Sequence, residues 1–150
     1  MYLLHKAKEF TQSLKYFSYF YININTKLIP VKKRVLIVDD KSTIAKVIEV
    51  YLGEAFDCVY FEDPIKAIAW LQSGNIPDLI ISDIYMPNMS GAQFLDYLKK
   101  NELYKSIPFV ILSSEDSSSQ KIELLEKGAA DYISKPFNPM ELKVRLKKII

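Results

Sequence analysis

Cysteine is almost absent from this chain of 150 residues, and so is any long apolar run. The single cysteine, Cys58, cannot form a disulfide within the chain, which favours a reducing, cytoplasmic compartment. No uninterrupted apolar stretch approaches the ~20 residues that span a bilayer. Charged side chains (Lys6, Lys8, Glu9 and Lys15) interrupt the first segment, and no small-residue cleavage site follows them. The N-terminal segment therefore does not fit a secretory signal.

Glycine and histidine are also scarce, with four glycines and one histidine in the whole chain. The sequence contains no glycine-rich phosphate loop, no Cys/His spacing typical of a zinc site, and no pattern of a nucleophile triad. It also contains no helix-turn-helix pattern. We therefore expect no nucleic-acid partner for this chain. Its chemistry must come from side chains that belong to none of these motifs.

The net charge of +2 conceals a division of the chain into two parts. Up to and including Arg34 there are seven basic residues and one acidic residue, whereas the remainder has thirteen basic and seventeen acidic residues. A basic extension rich in tyrosine and phenylalanine, residues 1–33, thus precedes a mildly acidic domain, residues 34–150. Pro30 lies near the predicted boundary.

The extension carries an apolar series at heptad spacing, which predicts an amphipathic helix over residues 2–24. Such an apolar surface favours homodimerisation or a partner protein, with packing on the domain or an anionic membrane as other candidates. The alternative is a disordered leader or a misassigned start codon. The apolar positions are Leu3, Ala7, Phe10, Leu14, Phe17, Tyr21, Ile24 and Leu28.

From residue 34 onward, short apolar segments typical of strands alternate with segments typical of helices. Ser42 and Asp63 are predicted helix N-caps, and Gly74 and Gly128 are predicted helix ends. Five β-then-α units of this size predict an α/β fold with a five-stranded parallel sheet, doubly wound by helices on both faces. The predicted strands are RVLIVD, CVYF, PDLIISD, IPFVILSS and ADYIS, and the predicted helices are STIAKVIEVYLGEAF, DPIKAIAWLQSG, GAQFLDYLKKN, SSSQKIELLEKG and NPMELKVRLKKII.

The polar residues at the ends of four of the five predicted strands form the candidate site. Asp39 and Asp40 follow the first strand, Asp83 ends the third, Ser113 ends the fourth, and Lys135 follows the fifth. The carboxyl ends of parallel strands share one edge of the sheet, so these groups should converge there. Clustered carboxylates would repel one another and resist ionisation together without a cation. The sequence therefore predicts a hard-cation site suited to Mg²⁺ at this edge.

These motifs resemble those of the response-regulator receiver domain, the two-component signalling module of the CheY-like superfamily. The resemblance covers residues 34–150. The acid pair after the first strand matches that family, and Asp83 in SDIYMPNMSG matches its phosphoacceptor loop. Ser113 matches its hydroxyl, Tyr132 in GAADYISKPF its aromatic switch residue, and Lys135 its lysine before a usually cis proline. The order and spacing of all these motifs make the resemblance specific.

The resemblance implies a flavodoxin-like (βα)5 fold and a phosphorylation-dependent switch. A histidine kinase or a histidine phosphotransfer protein would load a phosphoryl group onto Asp83. Mg²⁺ would be held by Asp40, Asp83 and a backbone carbonyl, that of Tyr85, with Asp39 acting through water.

The resemblance also assigns the remaining groups of the site. Lys135 would pair with Asp83 before phosphorylation and with a phosphoryl oxygen afterwards. Ser113 would donate a hydrogen bond to the phosphoryl group, and Tyr132 would then turn inward. The face formed by the fourth helix, the fifth strand and the last helix would bind a downstream protein target.

The sequence leaves alternatives open at this stage. A phosphatase or phosphotransferase of the haloacid-dehalogenase type also uses an aspartate after a strand, but it needs a second acid two residues on, where this chain has Tyr85. The chain could be a stand-alone receiver or a fragment of a longer regulator. A receiver that is not phosphorylated is disfavoured because the chemical positions are intact.

Overall fold

The computed structural model describes residues 31–150. The helix predicted over residues 2–24, and any dimer or partner contact through it, lie outside the described residues and stay predictions. Strands and helices alternate in the described part of the chain, as predicted. The elements are β1 (Lys33–Val38), α1 (Ser42–Leu52), β2 (Phe56–Phe61), α2 (Pro64–Gln72), β3 (Leu79–Asp83), α3 (Gly91–Lys99), β4 (Phe109–Ser113), α4 (Ser118–Glu126), β5 (Asp131–Ser134) and α5 (Pro139–Ile149).

The five strands form one parallel sheet in the order β2-β1-β3-β4-β5. The order reverses at β1, whose neighbours are β2 on one side and β3 on the other. In open α/β sheets of this kind, ligands bind at the carboxyl ends of the strands near the point of reversal. The predicted five-stranded, doubly wound, flavodoxin-like fold is confirmed.

Each face of the sheet carries its own apolar core, because successive side chains of a strand point to opposite faces. One core packs α2, α3 and α4 against the sheet, and the other packs α1 and α5 against the opposite face. Strands β3 and β4 are buried along their whole length, as expected for strands covered on both sides. None of the helices within residues 31–150 is long and apolar enough to cross a membrane.

Local side-chain contacts explain where most helices begin. Asp63 accepts a hydrogen bond from the backbone of Ile65, as predicted, and proline occupies the first turn of α2. Ser90 and Gln93 form a reciprocal capping box at the start of α3. The predicted cap at Ser42 is wrong, since Ser42 is the first helical residue of α1 and the capping position, Lys41, makes no side-chain cap.

Candidate functional site

The strand register places the two predicted acid positions side by side. In the pairing of β1 with β3, Val38 lies opposite Ser82, so the next residues of the two chains, Asp39 and Asp83, are neighbours at the carboxyl edge. On the other side of β3, Asp83 lies opposite Leu112, the residue before Ser113. Strand pairing alone thus brings together three of the predicted site residues, Asp39, Asp83 and Ser113.

Asp39, Asp40 and Asp83 form an acid cluster whose carboxylate oxygens, one from each residue, all lie within 4.8 Å of one another. Asp39 and Asp83 are 1% and 4% exposed, whereas Asp40 is exposed to solvent. Carboxylate oxygens at this spacing are a donor set for a hard cation that keeps part of its water shell. The residues present therefore fit Mg²⁺, with Asp40 on the side open to solvent.

Lys135 reaches this cluster from beyond the end of β5. Its Nζ donates a hydrogen bond to Asp39 Oδ2 at 2.8 Å and lies 3.3 Å from Asp83 Oδ1. The resemblance implied the pair with Asp83, but the pair with Asp39 is the shorter of the two. The other oxygen of Asp39, Oδ1, accepts a hydrogen bond from the backbone of Lys41 at 2.8 Å. Asp39 therefore holds both the lysine and the loop that follows β1.

Burial raises the pKa of Asp83 above its ordinary value, because a buried carboxylate loses hydration. The ammonium of Lys135 acts in the opposite direction, and the neighbouring charge of Asp39 raises this pKa further. The net shift is upward, so the folded protein binds a proton at Asp83 more tightly than the unfolded chain does. Ionised Asp83 consequently lowers stability above its folded-state pKa, and protonation relieves this cost as pH falls.

Asp83→Asn should therefore raise Tm by several degrees at pH 7.5 in EDTA. In a domain of this size, each kcal/mol of added unfolding free energy raises Tm by about 4 °C. The gain over the parent should shrink at pH 4.5, because the raised pKa of Asp83 leaves less of this carboxyl ionised in the parent at lower pH. Thermal unfolding followed by circular dichroism at both pH values measures this. Asp116→Asn, which removes an exposed carboxylate, is the control and should change Tm little. A gain that is equal at both pH values would contradict this account.

The SDIYMPNMSG motif ends in Gly91, and the structure shows why this position is glycine. Its backbone N–H donates to Ile84 O at 2.8 Å, which folds the loop after β3 back on itself. A Cβ built at Gly91 would lie 2.1 Å from the carbonyl oxygen of Asp83. Because that neighbour is backbone, it cannot swing aside as a flexible side chain could. The loop that carries Asp83 thus requires glycine eight residues later.

Gly91→Ala should lower the free energy of unfolding by about 1–3 kcal/mol, the usual cost of overpacking a dense site. It should also displace the Asp83 carbonyl. Urea unfolding measures the first effect, and backbone amide NMR shifts at residues 83–85 report the second.

Gly74→Ala separates this clash from ordinary backbone strain. Gly74 has φ +99° but open space around its Cβ position, so alanine there adds strain without a clash. We expect Gly74→Ala to leave the NMR shifts of residues 83–85 unchanged. Equal shifts in the two variants would contradict the clash at Gly91.

Ser113 and Tyr132 are joined through the backbone of Glu115. Ser113 Oγ accepts a hydrogen bond from Glu115 N at 3.1 Å, and the Tyr132 hydroxyl donates to Glu115 O at 3.0 Å. The side chain of Ser113 is fully buried at the end of β4, and Tyr132 is 3% exposed. The tyrosine of β5 therefore points inward in this structure. The Lys135–Pro136 peptide bond is cis.

Two further polar contacts at this edge escaped the sequence analysis. The Tyr60 hydroxyl, from β2, donates to Asp39 O at 2.9 Å, and Gln120 Nε2, from α4, donates to the Tyr85 hydroxyl at 2.9 Å. Both contacts join residues far apart in sequence, so no local sequence pattern predicts them. Tyr85 was predicted to contribute its backbone carbonyl, and the structure adds this contact of its side chain with α4.

Residues 35–147 match the response regulator receiver domain family. The chain therefore belongs to this family, a class of phosphoacceptor switches that interact with histidine kinases or phosphotransfer proteins. Membership in this family favours a receiver over the other function class that the sequence left open, a phosphatase or phosphotransferase of the haloacid-dehalogenase type.

Curated relatives place similar domains in transcriptional regulators and in kinases. The chain is 40% identical over 121 residues to the phosphate regulon transcriptional regulatory protein PhoB of Pseudomonas aeruginosa, a match that covers 80% of this chain and 52% of PhoB. It is 38% identical over 119 residues to histidine kinase P4 of Formosa agariphila, covering 79% of this chain and 9% of the kinase. The chain thus spans about half the length of PhoB.

Solved structures show the same fold at similar identity. The receiver domain of the Francisella response regulator 1452 aligns with a TM-score of 0.72 and 34% identity, covering 79% of this chain and 96% of that domain. The chemotaxis response regulator CheY4 of Vibrio cholerae aligns with a TM-score of 0.73 and 32% identity, covering 79% of this chain and 99% of CheY4. Nearly the whole of each solved chain is thus accounted for by the domain described here.

Proposed function

We propose that this chain is a phosphorylation-dependent switch in which Asp83 accepts a phosphoryl group from a histidine kinase or a histidine phosphotransfer protein. One observation carries the proposal: the carboxylate of Asp83 lies at the carboxyl edge of the sheet beside two further carboxylates and 3.3 Å from the ammonium of Lys135. The acids supply a nucleophile and a cation site, and the lysine supplies a fixed positive charge. We place this switch in the cytoplasm, in a receiver domain of residues 34–150.

The acid cluster divides into two roles in this proposal. Both oxygens of Asp39 are engaged, one by Lys135 and one by the loop after β1, so Asp39 would act on the cation through water. Asp40 and Asp83 would hold Mg²⁺ directly, together with the backbone carbonyl of Tyr85. When bound, Mg²⁺ neutralises charge on the transferring phosphoryl oxygens.

The transfer itself would be an in-line displacement at phosphorus. Ile84 N donates to Asp83 Oδ1 at 2.9 Å and Lys135 approaches the same atom, so we assign the attack to Oδ2. The new bond joins Asp83 Oδ2 to phosphorus, and the bond from phosphorus to the donor's histidine nitrogen breaks with its electron pair staying on nitrogen. Lys135 would then pair with a phosphoryl oxygen as a point charge.

The switch would start at Ser113. Its oxygen accepts from Glu115 N, which leaves the hydroxyl proton for donation to a phosphoryl oxygen. A phosphoryl group adds about −1.5 to −2 charge at pH 7, enough to draw this hydroxyl and its loop inward. Because Glu115 also holds Tyr132, the movement would reach the α4–β5–α5 face, where a protein target would bind.

Acetyl phosphate, a small phosphoryl donor, tests this function without a partner. Intact-mass measurement should show one added phosphoryl group in the presence of Mg²⁺ and none when EDTA replaces it. Uptake that is equally fast in EDTA would remove the cation from the proposal, and an unchanged mass under both conditions would contradict phosphoryl acceptance.

A further inference from the structure

Side-chain hydrogen bonds connect the loop after Asp83 with β5 through one residue of α4. Gln120 Nε2 donates to the Tyr85 hydroxyl at 2.9 Å, and Gln120 Oε1 lies 3.3 Å from the Tyr132 hydroxyl. The two tyrosines differ in exposure, since Tyr85 is 45% exposed and Tyr132 is 3% exposed. Gln120 therefore spans from the surface beside the phosphoacceptor loop to the buried tyrosine of the output face.

The chemistry of Gln120 suits this position. A glutamine amide carries two donor hydrogens and an acceptor oxygen on the same group, so it can serve two tyrosine hydroxyls at once. Alanine and leucine can serve neither hydroxyl. The bridge thus depends on the polar end of the side chain and not only on its size.

The Tyr132 hydroxyl has one proton and two acceptors within reach. Glu115 O lies 3.0 Å away and Gln120 Oε1 lies 3.3 Å away. Glu115 is tied to Ser113, so the contact of Tyr132 with Glu115 changes when Ser113 moves. Gln120 lies on a different element, α4, and accepts through Oε1. Its Nε2 donates to the Tyr85 hydroxyl. Tyr132 is thus restrained from two directions, one through Ser113 and one through Tyr85.

We propose that Gln120 is a positioning residue that couples Tyr85, two residues after the phosphoacceptor, to Tyr132 on the output face. A change in the loop that carries Asp83 then reaches β5 by a second route, which runs through Gln120 instead of Ser113. The inference rests on the proposed function, because that function makes Asp83 the source of the change. The physical link itself exists in the unphosphorylated protein, where it can be measured.

NMR of tyrosine ring signals in the full chain, with Tyr85 and Tyr132 assigned by substitution to phenylalanine, tests this link. Without any phosphoryl donor, Tyr85→Phe should shift the Tyr132 signal in the parent protein and leave it unchanged in a Gln120→Ala background. Gln120→Ala alone should lower the population ratio of buried to exposed Tyr132 rings by about twofold, the low end of the effect of one hydrogen bond, because Glu115 O still accepts the Tyr132 proton.

Two further variants separate the bridge from general damage. Gln72→Ala removes a glutamine–tyrosine hydrogen bond of the same type, from Gln72 Nε2 to the Tyr97 hydroxyl at 3.2 Å, and should leave Tyr132 unaffected. Gln120→Leu keeps most of the side-chain volume but has neither a donor nor an acceptor. It should therefore lower the buried Tyr132 population as Gln120→Ala does and abolish the response of Tyr132 to Tyr85→Phe, which separates lost hydrogen bonds from lost volume.

The same samples are then treated with acetyl phosphate and Mg²⁺. In the parent both tyrosine signals should shift, and in Gln120→Ala the shift of Tyr132 should be smaller. If Tyr132 responds equally to Tyr85→Phe with and without Gln120, the inference is wrong even when phosphorylation proceeds normally. If the parent takes up no phosphoryl group, the proposed function fails, and the second route from Asp83 fails with it.

Discussion

Lys135→Ala should slow phosphoryl uptake from acetyl phosphate by about 10²–10³-fold, the usual cost of removing one fixed donor from a developing charge. The lysine ammonium lies 2.8 Å from Asp39 Oδ2 and 3.3 Å from Asp83 Oδ1, and its side chain is 12% exposed. It is therefore already in place before any phosphoryl group arrives. Its removal leaves the transferring oxygens without this positive charge. Initial rates of mass increase, at saturating Mg²⁺, measure the effect.

Lys143 provides a matched control for this change. Its side chain is 14% exposed, close to the 12% of Lys135, and its Nζ lies 3.3 Å from Oε2 of the exposed Glu54, so it matches Lys135 in its own burial but pairs with a solvated acid. Lys143 joins α5 to the segment after α1, away from the acid cluster. Lys143→Ala should keep the parent rate of uptake. A rate in Lys135→Ala within about twofold of the parent would contradict the role of this lysine, since ~0.4 kcal/mol is too little for a lost charge contact.

Asp40→Asn should weaken Mg²⁺ binding by about 10- to 100-fold, at least the loss seen when groups that support metal ligands are removed. Asp40 is the exposed member of the acid cluster, and it lines an open cavity of about 320 Å³ together with Glu62, Asp63, Pro87 and Asn88. Its carboxylate can bind a cation that remains partly hydrated, as Mg²⁺ usually does. Isothermal titration calorimetry with Mg²⁺ measures the affinity directly.

Glu62→Gln distinguishes coordination from general negative potential. Glu62 lines the same cavity as Asp40, but it pairs with Lys66 at 2.6 Å and lies outside the acid cluster. Loss of its charge should change Mg²⁺ affinity little, because exposed charges are screened by solvent and salt. If Glu62→Gln weakens Mg²⁺ binding as much as Asp40→Asn does, the cation is attracted by the field of the cavity and is not held by Asp40.

Much of the fold follows from the sequence because buried parallel strands and capped helices have local signatures. The apolar run before Asp39 predicts a strand covered on both faces, and β1 is one. Asp63 followed by proline predicts a helix start, and α2 begins there. The Ser42 prediction failed because a serine before an apolar series resembles a cap, whereas Asp39 instead bonds the backbone of Lys41 and turns the chain into the helix.

The sequence predicted at which edge of the sheet the candidate site lies, but not which side chains are in contact there. Parallel strands bring their carboxyl ends together, which is enough to group Asp83 with the acids after β1. The pair of Lys135 with Asp39 joins residues 96 apart, and the contact of Gln120 with Tyr85 joins residues 35 apart. Both depend on strand order and on the direction of long side chains, and neither of these has a local sequence signal.

The central claim is that Asp83 carries the phosphoryl group, and chemical trapping tests it most directly. Borohydride reduces an aspartyl phosphate to homoserine, so treatment after exposure to acetyl phosphate and Mg²⁺ marks the modified residue permanently. Peptide mass mapping should find homoserine at position 83 in the parent, and Asp83→Asn should contain none at any position. Homoserine at another aspartate of the parent, or equal phosphoryl uptake by Asp83→Asn, would contradict the account.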